Sequence, residues 1–116
     1  MKFEHFGALV ASLIFVAAAN AQPSNVTMDA RNLLDICTTA HPDSVGFCNG
    51  FMQAAHDWPA GDDLRACLPE GTTRTQLAML YEEEAPALFA QDPMWANASG
   101  ILVARLLMAQ AYPCPE

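Results

Sequence analysis

The side chains that could do chemistry are four cysteines, Cys37, Cys48, Cys67 and Cys114, and two histidines close to acids, His41 and His56. An even cysteine count in a small exported domain is the mark of a disulfide framework, with three connectivities open. The spacings lack the close pairs of a structural zinc site. His56-Asp57 is the pair that tempts a catalytic reading, because a helical His-Asp can run calcium-assisted hydrolysis. That chemistry needs flanking cysteines and a Gly-rich cation loop, whereas the neighbours here are Ala54, Ala55, Trp58 and Pro59. His56 therefore reads as a partly exposed helix-end histidine. His41 and His56 could share a metal with Asp57, Asp62 or Asp63, but these acids lack the alternation and Gly of a calcium loop. No nucleophile elbow, phosphate loop or zinc-hydrolase motif occurs. No catalytic residue, metal ligand or cofactor is expected.

A different set of residues suits protein recognition. Gln91, Asp92, Met94 and Trp95 fall in a stretch that reads as a loop, Gln91–Ala96. Tryptophan is enriched among residues that dominate interfaces. The competing reading is that Trp95 folds back into the core. The acidic run Asp57–Asp63 is the second choice for a binding surface. Asn25-Val26-Thr27 and Asn97-Ala98-Ser99 match the glycosylation pattern, which matters only in a eukaryotic source.

The beginning of the chain says where these residues work. Lys2 precedes an uncharged apolar run, Phe6 to Ala19, and Ala19-Asn20-Ala21 has small residues where a signal peptidase reads. The run is short for a membrane span, which needs about 20 residues. Residues 1–21 are thus expected to be a signal peptide, 22–27 a flexible tail, and 28–116 one domain. The net charge of −8 survives cleavage, because Lys2 and Glu4 leave together, and no lysine remains. Such a surface repels phosphate backbones, so nucleic acid is not an expected partner. It favours basic partners by steering.

Hydrophobic spacing predicts helices throughout. Thr27 is a candidate cap for a first helix at about 28–38, with Asp29 in its first turn. Pro42 suits the first position of a second helix that ends near Asp57–Trp58. Its stripe is Cys48, Phe51, Met52 and Ala55, widened by Val45 and Phe47, while Gly46 and Gly50 offer close approach to a neighbour. Thr73 and Gln76 form a capping-box pattern for a third helix. Leu77, Leu80, Tyr81, Ala85 and Leu88 follow, and Pro86 should kink or interrupt the helix near Glu82. The last helix, about 97–112, is apolar nearly all round and should be central, with Arg105 its only charge. The expected fold is all-α, a small bundle of four to five helices.

This layout favours one cysteine pairing. Helices one and two share a short connection and should be antiparallel, bringing Cys37 to Cys48. Cys67 precedes helix three and Cys114 follows helix four, so a hairpin of those helices joins Cys67 to Cys114. Loop entropy makes the bridges worth ~2.8 and ~4 kcal/mol, against a total stability of roughly 5–15 kcal/mol for an ordinary domain.

Several fragments together resemble the Rap1a/Tai immunity-protein family of Gram-negative bacteria. They are Asn32-Leu33-Leu34-Asp35-Ile36-Cys37, Gly46-Phe47-Cys48-Asn49-Gly50-Phe51-Met52, Cys67-Leu68-Pro69-Glu70-Gly71, Tyr81 with Pro86, and Ala111-Tyr112-Pro113-Cys114-Pro115. The resemblance covers about 29–115, with a somewhat long segment at Asp92–Asn97. It implies a periplasmic, non-catalytic protein that blocks a peptidoglycan-cleaving amidase toxin delivered by type VI secretion. It also implies a possible homodimer and a loop that enters the toxin's cleft. Two other classes fit the residues: a periplasmic acid-stress-type chaperone or other non-catalytic binding protein, and a small secreted hydrolase.

Overall fold

A computed structural model describes residues 27–58 and 64–116. The expected signal peptide, the tail before Thr27 and the turn Pro59–Asp63 lie outside these residues.

Four α-helices make up the described fold: α1 (Ala30–Cys37), α2 (Pro42–Asp57), α3 (Arg74–Gln91) and α4 (Gly100–Ala111). A 3-10 turn, Pro93–Asn97, stands between α3 and α4. The described residues contain no strand, only two isolated bridges, Asp29 with Ser99 and Ala66 with Pro113.

The starts of α1, α2 and α3 each have a chemical cause. Asp29, not Thr27, caps α1, its carboxylate accepting the Asn32 N–H at 2.8 Å. Asp29 carries a charged acceptor immediately before the first helical residue, whereas Thr27 lies two residues further back. His41 caps α2 through Nδ1, which accepts the Asp43 N–H at 3.2 Å, and Pro42 follows as the first helical residue. Thr73 and Gln76 complete the capping box of α3 in both directions. α3 then runs unbroken across Pro86. Pro86 is exposed, so the Glu82 carbonyl deprived of its helical donor can turn towards water.

The core is assembled from narrow stripes: Leu33 and Cys37 of α1, Cys48, Met52 and Ala55 of α2, Leu77, Tyr81 and Ala85 of α3, and Val103, Leu107 and Met108 of α4. α4 packs against all three other helices, as its composition predicts. It is not covered all round, however, because Leu102 stays 41% exposed. The stripe of α2 is also narrower than expected. Val45 and Phe47 lie outside the buried set, because the neighbours of α2 cover only the Cys48–Met52–Ala55 side. For the same reason Gly46 and Gly50 serve no close approach, and a Cβ built at either meets nothing within 4 Å.

Both disulfides are those expected. Cys37–Cys48 pins the α1–α2 hairpin, and Cys67–Cys114 ties the connection before α3 to the chain after α4. The second tie is reinforced by the Cys67 N–H donating to the Tyr112 carbonyl at 2.9 Å. A buried hydrogen bond links the outer helices: the Tyr81 hydroxyl of α3 donates to the Ala30 carbonyl of α1 at 2.7 Å.

Candidate functional site

Gln91 is the last residue of α3 and Asp92 its cap. The Asp92 N–H closes α3 by donating to the Leu88 carbonyl at 3.1 Å, and its carboxylate accepts the Met94 N–H at 3.0 Å. One residue therefore ends a helix and starts the 3-10 turn. Pro93, with φ fixed by its ring, occupies the first position of the turn. The stretch expected to be a loop is ordered because Asp-Pro supplies both an acceptor and a preset backbone angle.

This local geometry sorts the two apolar residues. Met94 is 77% exposed, the most exposed large apolar side chain among the described residues. Trp95 is half-buried and packs against the core, while Ala96 beside it is fully buried. Trp95 thus divides its ring between core and solvent. Gln91 and Asp92 are exposed. All four sequence-selected residues fall on one capped corner.

The far side of the corner is stitched to the start of α1. The Ala30 N–H donates to the Ala98 carbonyl at 2.8 Å, and the Gly100 N–H donates to the Met28 carbonyl at 2.8 Å. Gly100 is required by this approach, since a Cβ there would stand 3.1 Å from the Met28 carbonyl oxygen and 3.3 Å from Leu33. Beside the stitch, Met28, Phe47, Phe51 and Ile101 line an apolar groove of about 230 Å³.

Among the described residues, His41 and His56 do not assemble a reaction centre. His41 serves as a cap, with Asp43 3.8 Å away. His56 lies in the last turn of α2, its Nδ1 3.2 Å from Asp57 Oδ1. It borders an open cleft of about 500 Å³ with Gln53, Leu68, Thr72, Thr73, Arg74 and Leu77. Both hydroxyls in that cleft are engaged, Thr72 donating to the Pro69 carbonyl and Thr73 accepting from Gln76. Neither one forms a nucleophile–base pair with His56. Among the described residues no three His, Cys, Asp or Glu side chains converge on a point that could hold a metal.

Two buried polar residues were not selected from the sequence as structural devices. Tyr81 is 1% exposed, and burial, followed by the Asp29 charge, pushes its phenol well above the ordinary range. Arg105 is 7% exposed. Its guanidinium donates to the carbonyls of Ala55 at 2.8 Å, of Trp58, and of Leu64 at 3.4 Å. The available signal was a lone charge in an otherwise apolar helix.

The family model described as Rap1a immunity proteins matches residues 29–114. No curated protein and no solved structure matches the chain.

Proposed function

The chain belongs to the Rap1a immunity protein family, and on that premise we propose that it binds and silences a peptidoglycan-cleaving amidase delivered by type VI secretion. The corner Gln91, Asp92, Met94 and Trp95 is the surface that meets the toxin. One observation carries the choice: the Asp92 carboxylate caps the turn from within, so Met94 projects from a backbone that is already ordered. A pre-ordered contact avoids much of the entropy lost when a flexible loop docks. Met94 offers an adaptable apolar tip and Trp95 a ring braced by the core.

The periplasm is the compartment this reading requires. All four cysteines are paired, and disulfides persist in oxidising compartments. The apolar leader of the sequence agrees with export. The protein acts by occupying the toxin, with no reaction of its own.

The test is isothermal titration of the purified protein with a type VI peptidoglycan amidase, beside Trp95→Ala and Met94→Ala variants of confirmed fold. A central Trp anchor is worth about 2 kcal/mol or more, so Trp95→Ala should weaken binding at least ~30-fold. A folded Trp95→Ala variant that binds as tightly as the parent would remove the corner from the interface.

A further inference from the structure

We infer that Asp57 and Trp58, at the end of α2, form a second contact for the toxin, positioned from beneath by Arg105, and that this contact meets a basic patch of the partner. The inference rests on the toxin-binding reading above. It concerns a place separate from the Asp92–Trp95 corner.

Arg105 raises the question. It is a buried cation on the central helix, and among the described residues no carboxylate lies within ion-pairing distance of it. Its Nε is buried and finds no hydrogen-bond partner among the described residues. Burying a charge without a counter-charge is costly, and an apolar side chain of similar size would fill the space with less penalty. What the guanidinium adds is geometry. Its fork holds the carbonyls of Ala55 and Trp58 at the end of α2 and reaches that of Leu64, where the described chain resumes. The last turn of α2 is thereby fastened to α4 at the residue where the helix ends.

The side chain presented by that fastened residue is an exposed indole. Trp58 is 57% exposed, and the Asp57 side chain next to it is 62% exposed. Packing does not account for an indole left this open. An indole face attracts guanidinium and ammonium groups, and an adjacent carboxylate adds an ion pair. The chain carries a net charge of −8, and of its arginines Arg105 is sequestered from solvent. A protein docking here is steered and held best through Lys or Arg. A backbone clamped by Arg105 reduces the ordering cost of presenting Trp58.

The chain has two tryptophans, which permits a direct test. Fluorotryptophan incorporated into the otherwise unaltered chain gives one fluorine resonance per tryptophan, and the resonance lost in Trp58→Ala is that of Trp58. Adding an unlabelled, purified type VI peptidoglycan amidase should shield that resonance from a soluble paramagnetic quencher. Trp58→Ala should weaken binding about tenfold, as for a truncated anchor near an interface edge, with its thermal midpoint unchanged. Asp57→Asn should slow association and flatten its salt dependence. Arg105→Lys keeps the charge and loses the fork. It should weaken binding in the parent but add little to Trp58→Ala, a coupling that a general loss of stability would not produce. Parent binding with Trp58 still open to quencher, or unchanged affinity of Trp58→Ala, overturns the second contact. Equal effects of Arg105→Lys with and without Trp58 overturn the positioning role. An amidase that the parent chain itself fails to bind defeats the toxin-binding reading and this inference with it.

Discussion

Replacing Tyr81 with Phe removes one atom and tests the buried link between α3 and α1. The hydroxyl donates to the Ala30 carbonyl at 2.7 Å, and Ala30 is 0% exposed, so water cannot replace the donor. A lost hydrogen bond costs about 0.5–1.5 kcal/mol, and an orphaned buried acceptor costs more. The Ala30 carbonyl belongs to the first residue of α1 and retains its place in the helical ladder. The expected loss is therefore ~1.2 kcal/mol, or a fall of about 5–10 °C in Tm for a domain of this size. The pH dependence identifies the mechanism. Burial and the Asp29 charge raise the Tyr81 pKa in the folded state. The unfolded chain ionises near the ordinary value of about 10. Above that pH the unfolded state binds fewer protons than the folded one, so stability contributed by Tyr81 falls as pH rises. At pH 11 this costs the parent about 1.4 kcal/mol, one pH unit's worth. The Phe variant has no such group. The gap between the two proteins should be full at pH 7 and nearly closed at pH 11. Thermal unfolding followed by far-UV circular dichroism at both values, without reductant, measures it. Equal Tm values at pH 7, or a gap that does not shrink by pH 11, would refute the reasoning.

The two bridges should differ in weight because they close loops of different length, with sequence separations of 11 and 47. Cys67→Ala with Cys114→Ala should cost ~4 kcal/mol and Cys37→Ala with Cys48→Ala ~2.8, read from urea midpoints; the reverse order would show that loop entropy does not govern them. Gly100→Ala places a Cβ 3.1 Å from the Met28 carbonyl and should destabilise by about 1–3 kcal/mol, as overpacking does. Faster amide exchange at Ala30 and Gly100 in that variant is the expected signature, and an unchanged Tm with unchanged exchange would mean that the stitch yields without strain.

Some features were legible because they depend on neighbours in sequence. The capping box at Thr73 and Gln76, Pro42 at a helix start and the alternation of helices with turns all involve groups within four residues of each other. The cysteine pairing was readable for a related reason: short connections constrain antiparallel neighbours, and each bridge follows from the order of helix ends. Asp92 stands out in the sequence as an acid in a candidate recognition stretch. Its double service, closing α3 and capping the turn, was not legible, because a 3-10 turn of five residues leaves little periodic trace.

What resisted the sequence was everything that depends on which side of a helix finds a partner. Val45 and Phe47 look like part of the stripe of α2 and are left outside it, and Gly46 and Gly50 look like contact points, yet a Cβ at either would meet nothing within 4 Å. A period of 3.6 residues defines a face but not how wide a face its neighbours will cover. Arg105 shows the same limit in a polar residue. Type and position mark it as unusual, yet the carbonyls of Ala55, Trp58 and Leu64 that accept its protons come from 41 to 50 residues away. The sequence by itself determined the helices, the bridges and the acidic character, since these follow from local backbone preference, chain connectivity and composition. The tertiary structure alone decided that Trp95 shares its ring with the core while Trp58 stands open, because exposure is settled by how the helices meet, a non-local balance of packing and desolvation.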